Sequence, residues 1–175
     1  MTITEEETAD RLLAELQGVG VSLGAGLPDD WLVPLLARLD AEPTFTYVPV
    51  AREMEAVGVC AGAFFAGVGS VAIMGIAGLF TTIHELTTMN MAHQIPLFIL
   101  ASKRGGIDDL RTYQVAQGQY GLRLLDALEI PYCTVESYEQ LPMIGNAYRK
   151  SRVTKRPLVA FVTKPVLQPT KGREQ

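Results

Sequence analysis

Apolar and polar positions along the chain fall into two alternating registers: short unbroken apolar runs, and longer stretches with helical spacing. Apolar runs at residues 21–24, 45–50, 70–74, 95–100, 132–135 and 157–162 read as six strands. Between them lie helical patterns. Thr4-Glu5-Glu6-Glu7 opens the first with a capping residue and acids, Leu12, Leu13 and Leu16 form its stripe, and Gly18-Val19-Gly20 ends it. A second is expected from Pro28 or Asp29-Asp30 to about Leu39, a third over 52–67, a fourth to about His93, a fifth over 117–128 and a sixth over 138–151. Strand 70–74 is apolar throughout, so helices should cover both of its faces. This βαβ alternation predicts an α/β fold: an open, mostly parallel six-stranded sheet with helices on both faces, a flavodoxin-like three-layer sandwich. One domain over residues 1–165 is expected, with a loose tail over 166–175.

Composition narrows the partners. The 175 residues are 48% hydrophobic and 19% charged, with a net charge of -4, so nothing suggests a nucleic-acid footprint. No apolar stretch approaches the roughly 20 residues of a membrane span. Cys60 and Cys133 lack metal spacing and read as buried thiols of a reducing compartment, and the acidic N-terminus lacks a signal core. Cytoplasmic location is the expectation.

Candidate chemistry gathers where strands end. Four loops, at 24–30, 50–53, 75–82 and 102–106, should meet at one sheet edge. Glu53 stands where the second strand hands over to a Gly/Ala-rich helix; it either serves chemistry or only favours the helix N-terminus. Gly75-Ile76-Ala77-Gly78 would let backbone approach a ligand, but is neither a P-loop nor a dinucleotide fingerprint. Lys103 and Arg104 would hold an anion or form a solvated pair. Gln114, Gln117 and Gln119, with Tyr113 and Tyr120, would line a polar wall or lie on the surface. His84 and His93 read as structural, and no Ser-His-Asp arrangement is evident. One carboxylate, one Gly-rich turn and one basic loop make an incomplete catalytic set, as in a binding module or half of a shared site.

The segment 48–67, Val-Pro-Val-Ala-Arg-Glu-Met-Glu-Ala-Val-Gly-Val-Cys-Ala-Gly-Ala-Phe-Phe-Ala-Gly, resembles the pyrimidine-binding domain of thiamine-diphosphate enzymes. It looks most like the sulfopyruvate decarboxylase α subunit and the phosphonopyruvate decarboxylases. Glu53, Gly62 and Gly78 keep that family's intervals, and Ile95-Pro96-Leu97, Ser102-Lys103-Arg104-Gly105, Gln117-Gly118-Gln119 and Leu128-Glu129-Ile130-Pro131-Tyr132 add to the likeness. The resemblance implies that Glu53, with Glu55 as fallback, hydrogen-bonds N1′ of the cofactor aminopyrimidine, with apolar flanks such as Val50 and Val57. It implies cofactor contacts at Gly26, Leu27, Pro28, Gly75, Ile76, Ala77 and Gly78, and substrate contacts at Lys103, Arg104 and Gln117.

The family's diphosphate and Mg2+ are held through a Gly-Asp-Gly signature, which these 175 residues lack. The resemblance therefore implies no metal ligand here, and a β subunit that completes the site, as a dimer of heterodimers decarboxylating a small 2-oxo acid. Carboligation is the alternative within this chemistry, and a non-catalytic flavodoxin-like binding module the alternative outside it. Three departures bear on the substrate: Gly75-Ile76-Ala77-Gly78 replaces a Gln-Asn-Ser-Gly type loop, Lys103 a histidine, and Met54 an acid.

Overall fold

A computed structural model describes residues 3–107 and 109–169. Among them, six strands form one sheet in the order β2-β1-β3-β4-β6-β5, every neighbouring pair parallel. The strands are β1 Val21–Gly26, β2 Thr46–Pro49, β3 Gly69–Gly75, β4 Leu97–Ser102, β5 Tyr132–Val135 and β6 Pro157–Val162. Every residue of β4 and β6 is buried, which explains their unbroken apolar sequence: both faces are covered.

Helices α1 Glu5–Gln17, α2 Val33–Asp40, α7 Met143–Thr154 and α8 Lys164–Leu167 pack through Leu12, Leu35, Ile144 and Leu167 onto the face carrying Val71, Ile73, Phe98 and Leu100. Helices α3 Glu53–Phe65, α4 Ile76–Thr81, α5 Ile83–Glu85 and α6 Thr112–Ala127 lie in the other layer, where Val57, Leu79 and Leu125 meet Ala72, Met74, Ile99 and Ala101. This is the expected three-layer α/β architecture. The opening cap forms as read: the Thr4 hydroxyl accepts the Glu7 amide at 3.1 Å, and the Thr4 amide donates to the Glu7 carboxylate at 2.7 Å. Gly20, at φ 82°, makes the turn into β1.

Several expectations need correction. The second helix starts at Val33, with Pro34 in its first turn; Asp29 instead forms a turn in which its carboxylate accepts the Trp31 amide at 3.1 Å. The helix foreseen to His93 breaks into α4, α5 and a π-helical turn, Leu86–Met91. Threonine hydroxyls compete for its carbonyls: Thr82 donates to Leu79 O, Thr87 to Ile83 O and Thr88 to His84 O. Helix α6 starts earlier than read, at Thr112. The chain beyond Pro165 is not loose throughout, because Val166 and Leu167 are buried in the core; residues 170–175 lie outside the described part.

Candidate functional site

In the strand order, β1 leads outward to β2 while β3 leads the opposite way to β4. The crevice between the carboxyl ends of β1 and β3 is therefore the topological switch point, where open α/β sheets bind ligands. Gly26 ends β1 there and Gly75 ends β3. A side chain at Gly26 would meet Ile73 O at 2.6 Å, so only glycine allows the strands this approach. The Gly26 carbonyl is held by the Val50 amide and the Tyr47 hydroxyl, each donating at 3.1 Å, which fixes the ends of β1 and β2 together. Leu27 donates its amide to Ile73 O at 3.2 Å, and Pro28 follows on the surface.

Glu53 is the first residue of α3, at the positive end of the helix dipole. Its half-buried side chain lies over α4. A Cβ on Gly78 would stand 2.6 Å from Glu53 Cγ and 3.0 Å from its Oε1, so the missing side chain at Gly78 makes the room that the carboxylate occupies. Thr81 Oγ1 lies 3.2 Å from Glu53 Oε2 but only 2.8 Å from Gly78 O. Its single proton favours the shorter contact. Glu53 Oε1 has no hydrogen-bond partner among the described residues.

Glu55 is engaged differently. Its carboxylate turns back and accepts the amides of Ala51 at 2.9 Å and Arg52 at 3.2 Å, closing the N-terminus of α3. The two acids thus separate: Glu55 terminates the helix, and Glu53 faces the Gly-containing turn. Val57, fully buried one turn after Glu53, and half-buried Val50 belong to the apolar cluster behind it.

The basic loop after β4 departs from expectation. Arg104 is 2% exposed and is not available to an anionic substrate. Its Nε and Nη2 donate to the two Asp109 oxygens at 2.7 and 3.3 Å, and Nη1 donates to Asp29 Oδ2 at 3.1 Å. The guanidinium also lies 4.0 Å from the Trp31 ring centroid. Burial pulls the Arg104 guanidinium down, but Asp109 and Asp29 more than offset it and hold it above its ordinary value. Lys103 leans toward the far edge of the sheet, where its Nζ donates to Thr134 Oγ1 at 3.4 Å. Glu53, Gly26, Leu27, Ile76, Gly75 and Gly78 are brought together, whereas Arg104 and Lys103 are directed elsewhere.

Helix α6 crosses the ends of β3 and β4. Its Gly118 packs against Arg104 O and Gly105, and a Cβ at Gly121 would stand 2.8 Å from the Ile76 side chain. Gln117 immediately precedes Gly118 on this helix. Gln117 Oε1, Gln114 Oε1 and Ser102 Oγ are enclosed without a hydrogen-bond partner among the described residues, a demand for a donor at this edge. Ser102, Thr81 and Asp29 carried no sign of a site role in the sequence. Thr81 sits one turn after Gly78, inside the loop already singled out, but Asp29 carried no local sign of a partner 75 residues away.

Other candidates contribute no chemistry. Burial pushes the Cys60 thiol up to about 12, which leaves it inert. His84 and His93 are exposed, and no group of three or more His, Cys, Asp or Glu among the described residues could hold a metal. No helix among them is long and apolar enough to cross a membrane. An open groove of about 1230 Å³ runs between α1 and α2, lined by Ala9, Pro34 and Arg38 among others, and none of the candidate site residues borders it.

No family model matches the chain. It is 32% identical over 113 residues to the sulfopyruvate decarboxylase subunit alpha of Methanococcus maripaludis, covering 65% of this chain and 68% of that one. It is 29% identical to the sulfopyruvate decarboxylase of Methanosarcina acetivorans over 90% of this chain but only 40% of that longer protein. It is 36% identical over 94 residues to the phosphonopyruvate decarboxylase of Streptomyces viridochromogenes, covering 54% of this chain and 24% of that one.

Proposed function

Because the chain belongs to the family of sulfopyruvate decarboxylase α subunits and phosphonopyruvate decarboxylases, we propose that it is the pyrimidine-binding half of a thiamine-diphosphate-dependent 2-oxo acid decarboxylase. The observation that carries this reading is Glu53: a half-buried carboxylate at a helix N-terminus, at the switch-point crevice, with one oxygen unengaged and a side-chain-free glycine opposite.

The residues fit the cofactor's aminopyrimidine. Glu53 would share one proton with N1′, donating it from the carboxyl to the neutral ring nitrogen and accepting from N1′–H once the ring is cationic, a role for which a partly desolvated carboxylate is suited. Gly75, Ala77 and Gly78 present backbone and small side chains while the Ile76 side chain is fully buried, and Gly26, Leu27 and Pro28 form the opposite lip. When bound, thiamine diphosphate supplies the electron sink for loss of carbon dioxide. Gln117, whose Oε1 is enclosed without a partner among the described residues, would accept from a substrate hydrogen-bond donor at this edge.

The diphosphate and Mg2+ fall to a partner β subunit, in a dimer of heterodimers. Relatives carrying the name subunit alpha support this division, as does the longer Methanosarcina acetivorans protein, in which this chain accounts for 40% of the length. Two free thiols, Cys60 and Cys133, fit the reducing conditions of the cytoplasm.

Calorimetry tests the assignment directly. Thiamine diphosphate with Mg2+ is titrated into this chain, into the partner, and into an equimolar mixture. Binding is expected in the mixture alone. Equal affinity for the isolated chain, or no binding to the mixture, overturns the half-site.

A further inference from the structure

Arg104 is more deeply buried than any surface ion pair requires, and its partners lie in an instructive place. In the sheet, β3 is flanked by β1 on one side and β4 on the other. Asp29 follows β1 and Arg104 follows β4, so their ion pair at 3.1 Å closes across the carboxyl end of the strand between them. That end is Gly75. A Cβ there would stand 2.9 Å from Asp29 Oδ2, so the carboxylate rests directly on the backbone at which β3 turns into α4. Asp29 is further held by the Trp31 amide, and Trp31 is itself covered by the Arg104 guanidinium. On the other side Asp109 fastens the same guanidinium and accepts the amides of Gly105 and Arg111. Helix α4 is only six residues long. One end abuts Asp29 at Gly75, and one turn later Gly78 abuts Glu53.

We propose that Arg104 is a positioning residue: by clamping Asp29 onto Gly75 it fixes the start of α4, and through α4 it sets Gly78 against Glu53. This rests on the reading of Glu53 given above. It assigns to Arg104 a role that neither substrate binding nor general stapling describes. A staple anywhere on this edge would stabilise the fold, whereas this clamp acts on one short helix. The exposed pair between Arg111 and Asp30, on the same two loops, serves as the internal control.

Hydrogen exchange on the full chain reads the clamp without any cofactor. Asp29→Asn is expected to speed exchange of the 76–81 amides about tenfold relative to those of β4 and β6, and Asp30→Asn to leave them unchanged. Arg104→Lys, which keeps the charge but loses the fork, gives an intermediate effect and serves if Asp29→Asn does not accumulate. In the reconstituted enzyme Asp29→Asn is expected to lower kcat about tenfold with the KM for the 2-oxo acid within twofold. Unchanged exchange over 76–81, or an equal increase across the whole sheet, overturns the clamp. Faster exchange over 76–81 with an unchanged kcat overturns the reach of the clamp to Glu53, whereas the reading of Glu53 itself falls only if Glu53→Gln keeps wild-type turnover.

Discussion

Replacing Gly78 by alanine isolates the contact on which the site is built. The substitution puts a methyl 2.6 Å from Glu53 Cγ and 3.1 Å from its Cδ, where ordinary contact begins at 3.4 Å. Glu53 must therefore retreat by the difference, about 0.8 Å, and its flexible side chain allows this without disturbing the backbone. Gly78 lies in a helix, so alanine also recovers up to about 1 kcal/mol of helix propensity, which offsets the residual crowding. Stability should stay within about 1 kcal/mol of wild type, read from urea denaturation. A displacement of about 1 Å at a catalytic group costs on the order of a hundredfold, so carbon dioxide release by the reconstituted complex should fall by about that factor. Gly62→Ala controls for propensity, since nothing lies within 4 Å of its Cβ, and should only stabilise the isolated chain. A Gly78→Ala complex with wild-type turnover refutes the reasoning, because it shows that the position of Glu53 over α4 is not used.

Glu55→Ala should lower stability by about 1 kcal/mol in urea melts, through loss of the two amide contacts at the start of α3, while turnover stays within a few-fold. Asp109 gives the pH dependence. Burial pushes its carboxyl up, but Arg104 and the Gly105 and Arg111 amides pull it further down, below the ordinary 3.8. A folded value below the unfolded one means that its stabilisation is complete above the unfolded value and is lost as pH falls through the folded one. The urea midpoint should therefore drop below pH 3.8, and Asp109→Asn should flatten that limb while costing about 3 kcal/mol at pH 7.

What the sequence made legible was local. The apolar run of β3 announced a strand covered on both faces, and four loops at the carboxyl ends of β1 to β4 could be named before the sheet order was known. Glu53 stood out because it lies where an apolar strand hands over to a Gly/Ala-rich helix. What stayed hidden depends on partners distant in sequence. Arg104 reads as a solvated basic residue until Asp29 and Trp31, both from the β1–α2 loop, close around it. The separation of Glu53 from Glu55 rests on which way each side chain turns, something their spacing cannot tell. The fracture of the stretch after Gly75 into α4, α5 and a π-helical turn came from threonine hydroxyls taking backbone carbonyls, an effect the apolar stripe does not register.

The central claim is that Glu53 is the carboxylate of a half-site completed by another chain. Glu53→Gln keeps the shape of the side chain and removes its capacity to share a proton. The decisive measurement is kcat of this variant in the reconstituted two-subunit complex, with thiamine diphosphate and Mg2+ saturating. A loss of at least about a hundredfold, with assembly intact, is the predicted result. Turnover within a few-fold of wild type contradicts the account.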